Sequence, residues 1–295
     1  MTDPVKFSIV IPAKNEAASL RELLPRLAGL ISDAEILVVD DGSNDETAEV
    51  CAASNVKHLR HHCPMGNGAA IKTGARAALG EIIIFMDADG QHKPEDIPAL
   101  LDKLSEGFDM VVGARQSGSH AGAHRAVAND LFSRFATWMV QQTVEDLTSG
   151  FRVVRAKNFR KFLYLLPNGF SYPTTITMSF FRAGFRVAYV PIHTPRRTAG
   201  KSHIQPLRDG ARFLMIIIKI GTLYSPQKLF LPISLAFFWT GLCYYLYTYL
   251  TAARFTNMSA LLFISAILTF LIGIVSEQVS ALHYKGIEAT DFEDK

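Results

Sequence analysis

Residues 229–250, "LFLPISLAFFWTGLCYYLYTYL", carry no charged side chain, and "ALLFISAILTFLIGIVS" at 260–276 is a second such run. As a helix, the first reaches about 33 Å, enough for a bilayer core of about 30 Å. The second reaches that length if it continues through Glu277 toward Tyr284, with the glutamate at the interface. A buried hairpin of a soluble domain is the alternative, but two adjacent runs of this length favour a membrane. Between residues 193 and 228 stand seven cations, Arg196, Arg197, Lys201, Arg208, Arg212, Lys219 and Lys228, against Asp209. The positive-inside rule then places residues 1–204 on the cytosolic side. The expected organisation is a domain over 1–204, an amphipathic juxtamembrane segment over 205–228 lying in the interface, a transmembrane hairpin over 229–284 and an acidic cytosolic tail over 285–295.

The overall 49% hydrophobic and 19% charged composition averages a mixed first part with this nearly charge-free end. A net charge of +3 is too small to argue for nucleic acid. Cys51, Cys63 and Cys243 are widely spaced, with no Cys-x-x-Cys pair, which suggests thiols in a reducing compartment rather than zinc or disulfides. The start, "MTDPVKFSIVIP", reads as a first strand rather than a signal peptide.

From Phe7 to Val112 short apolar runs alternate with amphipathic stretches. "FSIVIPA", "AEILVVDD", "VKHLRHH", "EIIIFMDAD" and "DMVVGAR" read as strands, with helices between them. This alternation predicts an α/β, Rossmann-like, mostly parallel sheet with helices on both faces, whose ligands sit at the carboxyl ends of the strands. A helix over about 125–142 and further α/β structure follow. Asp40 and Asp41 end the second strand, and Asp87 and Asp89 the fourth, so both pairs are expected at one edge. Carboxylates at i and i+2 across a turn can share a hard cation whose remaining ligands are phosphate oxygens. A lone Asp-x-Asp can equally cap a helix or make a turn.

"SIVIPAKNE", "VVDDGSNDET", "GNGAAIKTG", "MDADGQHKPEDI" and "DLTSGFR", in this order, resemble the family-2 glycosyltransferases of the GT-A fold. More narrowly the chain is similar to polyprenyl-phosphate glycosyltransferases, the dolichol-phosphate-mannose-synthase-like branch, over about residues 5–225. The resemblance implies a nucleotide-sugar donor held by Pro12, Ala13, Asn15, Glu16, Gly68, Asp87 and Ala88, with Asp40 or Asp41 on base or ribose. It implies Mg2+ or Mn2+ on Asp87, Asp89 and Gln91. Gly66 and Gly68 form a tight helix entry, Lys72 is expected in solvent, His92 braces the turn, and His61, His62 and Cys63 are read as structural. Arg115, Arg125, Asn129 and Arg197 are assigned to the acceptor phosphate or donor diphosphate, with Lys201 and Ser202 beside them. Arginine suits this because its planar fork grips phosphate.

A hydroxyl acceptor needs a general base; a phosphomonoester is already anionic at neutral pH. Within the resemblance, hydroxyl-acceptor and processive relatives usually carry Gln-x-x-Arg-Trp before the membrane, whereas Trp138 and Trp239 stand in no such context. The expected reaction is inverting hexosyl transfer from a nucleotide sugar to a polyprenyl phosphate at the cytosolic membrane face, with Asp89, Arg115, Arg125 and Arg197 central. Within the resemblance, "DDGS" favours a uridine over a guanosine donor. The alternatives are a glycolipid synthase acting on a lipid hydroxyl, with Asp146 as base, and a non-catalytic nucleotide-sugar-binding protein. In the preferred scheme Asp146 orders the acceptor loop with Ser149. Homo-oligomerisation stays open.

Overall fold

The computed structural model describes residues 5–31, 33–115, 133–169, 172–193, 218 and 221–293. The chain divides into two compact units, Met1–His203 and Ile204–Lys295.

In the first unit the order is β1 (Phe7–Ala13), α1 (Ala17–Leu30), β2 (Ala34–Asp40), α2 (Thr47–Ala53), β3 (Lys57–Arg60), α3 (Asn67–Ala77), β4 (Ile82–Phe85), α4 (Ile97–Ser105) and β5 (Met110–Arg115). Residues 133–140 are helical, and β6 (Arg152–Arg155), α5 (Ala156–Arg160), α6 (Tyr172–Arg182) and β7 (Val187–Ile192) follow. Ile9, Val10 and Ile11 of β1, Leu37–Val39 of β2 and Ile83–Phe85 of β4 are wholly buried. Such continuous apolar runs mark strands covered on both faces. Helix α1 buries Leu20, Leu23, Leu24 and Leu27, a stripe at helical spacing packed on the sheet.

The strand order is β3-β2-β1-β4-β6-β5-β7. Every neighbouring pair is parallel except those of β6, which runs antiparallel to both β4 and β5. The sheet is therefore mostly parallel with one reversed strand. Register aligns Ala13 with Asp40 and Val10 with Phe85, so β1 runs between the two acid-tipped strands. Reversal gives β6 a second consequence. Its entry, residues 146–151, crosses the same edge at which β4 and β5 leave the sheet.

Helix α3 is closely packed at its start. A Cβ on Gly68 would lie 2.1 Å from the Pro167 carbonyl oxygen and 2.8 Å from that of Gly169. The Ala69 amide donates to the Asn168 carbonyl at 3.1 Å. Lys72, expected in solvent, is half-buried and donates to the Leu166 carbonyl at 3.0 Å and to the Asn168 side chain. The glycines and Lys72 therefore hold the 166–169 segment against the helix.

The second unit contains α7 (Pro226–Ala252) and α8 (Asn257–Glu293), both long and apolar enough to cross a membrane. They bare large apolar groups: Trp239, Tyr247, Leu250 and Leu282 are more than half exposed. A hairpin belonging to a soluble core would bury such a surface. Small residues bring the pair together, as is usual between helices in lipid. Ser234 donates to the Ala266 carbonyl at 2.8 Å, and a Cβ on Gly273 would lie 2.9 Å from that of Phe230. The first helix starts at Pro226, ahead of the expected 229, and the second continues past 284 through the segment expected as a tail. Apolarity delimits the part fit to cross a bilayer, while the helices extend beyond it. Most of the expected interfacial segment at 205–228 lies outside the described residues.

Substituting Gly68 by alanine should destabilise the first unit by about 1–3 kcal/mol, because the atoms in the way are backbone carbonyls that cannot rotate aside. Chemical denaturation of detergent-solubilised protein would measure it.

Candidate active site

Three loops meet where β1, β2 and β4 end. The first two are joined by side chains acting as backbone caps. The Ser43 hydroxyl accepts the Asn15 amide at 2.9 Å, and the Asn15 side-chain oxygen accepts the Asn44 amide at 2.8 Å. Asp45 Oδ2 accepts the Ala17 amide at 3.1 Å, so the first turn of α1 is capped from the β2–α2 loop. Asp45 Oδ1 also accepts the Thr47 amide and hydroxyl at 3.1 and 2.6 Å, and the Thr47 hydroxyl in turn accepts the Glu16 amide at 3.3 Å. Burial alone would raise the Asp45 pKa, but these hydrogen bonds hold it below the usual carboxylate range. Asn15 adopts φ of +56°, a left-handed turn that asparagine tolerates.

Asp40 and Asp41 serve different partners. Asp40 is wholly buried; its Oδ1 accepts the Ser43 amide at 2.7 Å, and His58 and Arg60 each approach its Oδ2 at 3.5 Å. Asp41 accepts the Met65 and Gly66 amides at 2.7 and 2.8 Å and meets His61 Nδ1 at 2.8 Å. Burial acts to raise the Asp41 pKa, but the bonds from His61, Met65 and Gly66 bring it down. His61 Nε2 reaches the Thr73 hydroxyl at 2.9 Å, so this histidine ties β2 to α3.

Asp87 and Asp89 lie just past β4, both half-buried, while Ala88 between them faces inward at 2% exposure. The Gln91 amide donates to Asp89 Oδ1 at 3.1 Å, closing the turn over Gly90. His92 accepts the Asp87 amide on Nδ1 at 3.2 Å and stacks on Phe151 at 5.0 Å. An accepting Nδ1 requires the neutral ring, and burial pushes the His92 pKa down to about 4. His92 thus braces the acid turn. Among the described residues no group of three or more His, Cys, Asp or Glu side chains converges on one point. Two hard carboxylates suit Mg2+ or Mn2+ completed by ligand oxygens, and fit zinc poorly.

Across the edge, Arg115 closes β5 and grips Asp146 with both prongs, Nε to Oδ2 at 2.7 Å and Nη2 to Oδ1 at 2.9 Å. Asp146, 1% exposed, also accepts the Arg115, Thr148 and Ser149 amides at 3.2, 3.0 and 3.1 Å. Burial would raise its pKa; the Arg115 hydrogen bond and charge outweigh this and lower it. Asp146 therefore orders the loop with Ser149, and three of Arg115's five N–H donors are committed to Asp146 and Thr148.

Pro12, Ala13, Asn15, Glu16, Asp40 and Asp41 thus share one edge with Asp87, Ala88, Asp89, Gln91 and Arg115. Gly68 sits at the start of α3, backed by residues 167–169. Arg125, Asn129, Arg197, Lys201 and Ser202 lie outside the described residues.

Residues 8–163 match the model of glycosyl transferase family 2, more than half of the chain. The chain belongs to glycosyl transferase family 2. Residues 225–282 match the GtrB C-terminal hairpin, the stretch that forms α7 and most of α8. This family-2 chain is 26% identical to glycosyltransferase AglJ of Haloferax volcanii across 96% of each chain. It is 30% identical to an undecaprenyl-phosphate mannosyltransferase of Micrococcus luteus, over 65% of this chain and 85% of the relative. In fold it is similar to glucosyl-3-phosphoglycerate synthase of Mycobacterium tuberculosis, solved with Mn2+, UDP and phosphoglyceric acid. The TM-score is 0.57 at 22% identity, over 73% of this chain and 76% of the other. The expected GT-A architecture is thereby shown.

The Arg115–Asp146 pair gives the stability of this family-2 domain a defined pH dependence. Asp146 has a folded pKa below its unfolded value of about 3.9, so its contribution is present above that pH and is lost as pH falls through the folded value. Asp146→Asn should cost about 3–5 kcal/mol at neutral pH, by leaving Arg115 without its counter-charge, and should reduce the stability lost below about pH 4. Denaturant unfolding across pH 2–7 would show both effects.

Proposed function

We propose that the protein transfers a hexosyl group, with inversion, from a nucleotide sugar to a polyprenyl phosphate at the cytosolic membrane face, with a UDP-sugar favoured. The observation that carries the acceptor is the state of Asp146. A hydroxyl acceptor would need this carboxylate as its base, but Arg115 and three backbone amides occupy it and keep its pKa low. A phosphomonoester needs no base, because it is already anionic near neutral pH. The mannosyltransferase relative of Micrococcus luteus, named for undecaprenyl phosphate, supports the same class of acceptor.

Asp87 and Asp89, with Gln91, would hold Mg2+ or Mn2+, which when bound supplies positive charge to the departing nucleoside diphosphate. The Mn2+ and UDP in the solved mycobacterial synthase support this choice. The joined loops around Pro12, Ala13, Asn15 and Glu16 form the nucleotide wall, with Asp41 and Gly68 at its side and Asp40 fixing it from behind. An oxygen of the lipid phosphate attacks the anomeric carbon from the face opposite the diphosphate. The new carbon–oxygen bond forms as the bond to the β-phosphate oxygen breaks, and the electron pair leaves with the nucleoside diphosphate. Arg115, positioned by Asp146, faces this reaction with its remaining donors, and Arg125, Asn129, Arg197, Lys201 and Ser202 receive the acceptor phosphate. The membrane hairpin keeps the catalytic unit among the headgroups, replacing a search through solution by a local one.

Purified enzyme with UDP-[14C]hexose and Mn2+ should label undecaprenyl phosphate and leave a lipid alcohol unlabelled. The product should release its sugar in mild acid, as a glycosyl phosphate does and an ordinary glycoside does not. Asp89→Ala should abolish labelling, a loss of at least about 100-fold for an electrostatic role at the reacting diphosphate. Label that appears on the alcohol, in acid-stable form, would establish the hydroxyl-acceptor reaction instead.

A further inference from the structure

Among the described residues Arg152 is the largest side chain with no exposure at all; it opens β6 at the edge where β4 ends, opposite Phe85 of β4 and Val112 of β5. Its partners are neutral. Nη1 donates to the Pro173 carbonyl and the Thr177 hydroxyl, each at 3.2 Å, and Nη2 to the Ser149 carbonyl. The guanidinium stands 5.8 Å from the centre of the Tyr172 ring. Its Nε is buried without an acceptor, as are the Ser149 and Tyr189 hydroxyls nearby. Burying a cation among neutral groups is costly, and well-packed apolar side chains often replace buried ions without loss of stability. Packing alone does not account for an arginine here.

The adjoining turn shows what the charge and its fork accomplish. Ser149, held by Arg152 through its carbonyl, is held by Asp146 through its amide. The Tyr172 hydroxyl reaches the Gly150 carbonyl at 3.5 Å. Gly150 lies directly against the end of Asp87: a Cβ there would be 2.7 Å from Oδ2 and 3.2 Å from Oδ1. The backbone at 149–150 is thus a seat for the Asp87 carboxylate, fastened from behind by Arg152. Burial lowers the Arg152 pKa, and the charges of Asp146 and Asp87 act the other way across the intervening space without overcoming it.

We infer that Arg152 is a positioning residue for the catalytic cation site, its buried fork fixing the Ser149–Gly150 turn against which Asp87 is aligned. The inference rests on the proposed reading of Asp87 as a cation ligand. Full-length enzyme in detergent is titrated with Mn2+ alone, and free Mn2+ is read by electron paramagnetic resonance. Arg152→Lys keeps the charge but loses the fork, and Gly150→Ala pushes directly on the carboxylate. Both should weaken Mn2+ binding about tenfold or more, the scale on which residues supporting metal ligands act. Arg152→Met, apolar and of similar length, carries the same expectation if the lysine variant does not fold. Asp87→Asn separates the two levels of the argument. If Asp87→Asn binds Mn2+ as wild type does, the cation reading fails and the inference with it. If Asp87→Asn loses binding while the Arg152 variant or Gly150→Ala stays within about twofold of wild type, the inference alone is overturned.

Discussion

The parallel pairing of β1 with both β2 and β4 is the constraint on which the rest of the catalytic unit depends. Ala13 aligns with Asp40 and Val10 with Phe85, so β1 and β2 finish level and β4 ends three residues earlier, all three handing their chains to the loops at one edge. Because these strands are buried on both faces, a one-residue slip would rearrange the entire core. The acids at their tips are therefore placed by the hydrophobic interior rather than by the loops that carry them. An arrangement fixed in this way needs little reorganisation when charge develops on a ligand.

Around that edge each acid has a separate task set by its hydrogen bonds. Asp40 and Asp45 tie loops, Asp41 holds the entry to α3, and Asp146 carries Arg115. Asp87 and Asp89 stand half-buried at the turn over Gly90. Division of labour among carboxylates on one fold follows from environment, since donors and burial decide which oxygens are free for a ligand. The reversed strand β6 supplies the opposite wall, bringing Asp146, Ser149 and Gly150 to the edge where β4 leaves its acids.

Much of this was readable in the sequence. The apolar runs ending in "VVDD" and "FMDAD" announced strands tipped by acids, and the spacing of apolar residues in α1 and the two charge-free spans was sufficient to place those helices. Strand order was not readable, because it depends on pairing between distant segments. Nor was the reversal of β6, since "RVVR" is four residues long and carries no sign of direction. The burial of Arg152 is not legible because a cation in a short strand ordinarily belongs to the surface; here Pro173, Thr177 and Ser149 supply its acceptors, and all but Ser149 lie far along the chain. The anchoring of Lys72 is equally hidden, its carbonyl partner at Leu166 being nearly a hundred residues away. "GNG" marks a tight helix entry, and the backbone at 167–169 that packs against Gly68 there is not legible from it.

The joining of the β1–α1 and β2–α2 loops by Ser43, Asn15, Asp45 and Thr47 has a thermodynamic corollary. Conformational freedom surrendered there is lost once, during folding, and is not lost again when a guest molecule docks. Association of the proposed nucleotide with such a wall should have a modest entropic penalty and a small heat-capacity change, the calorimetric signature of a lock already cut rather than one shaped around its key.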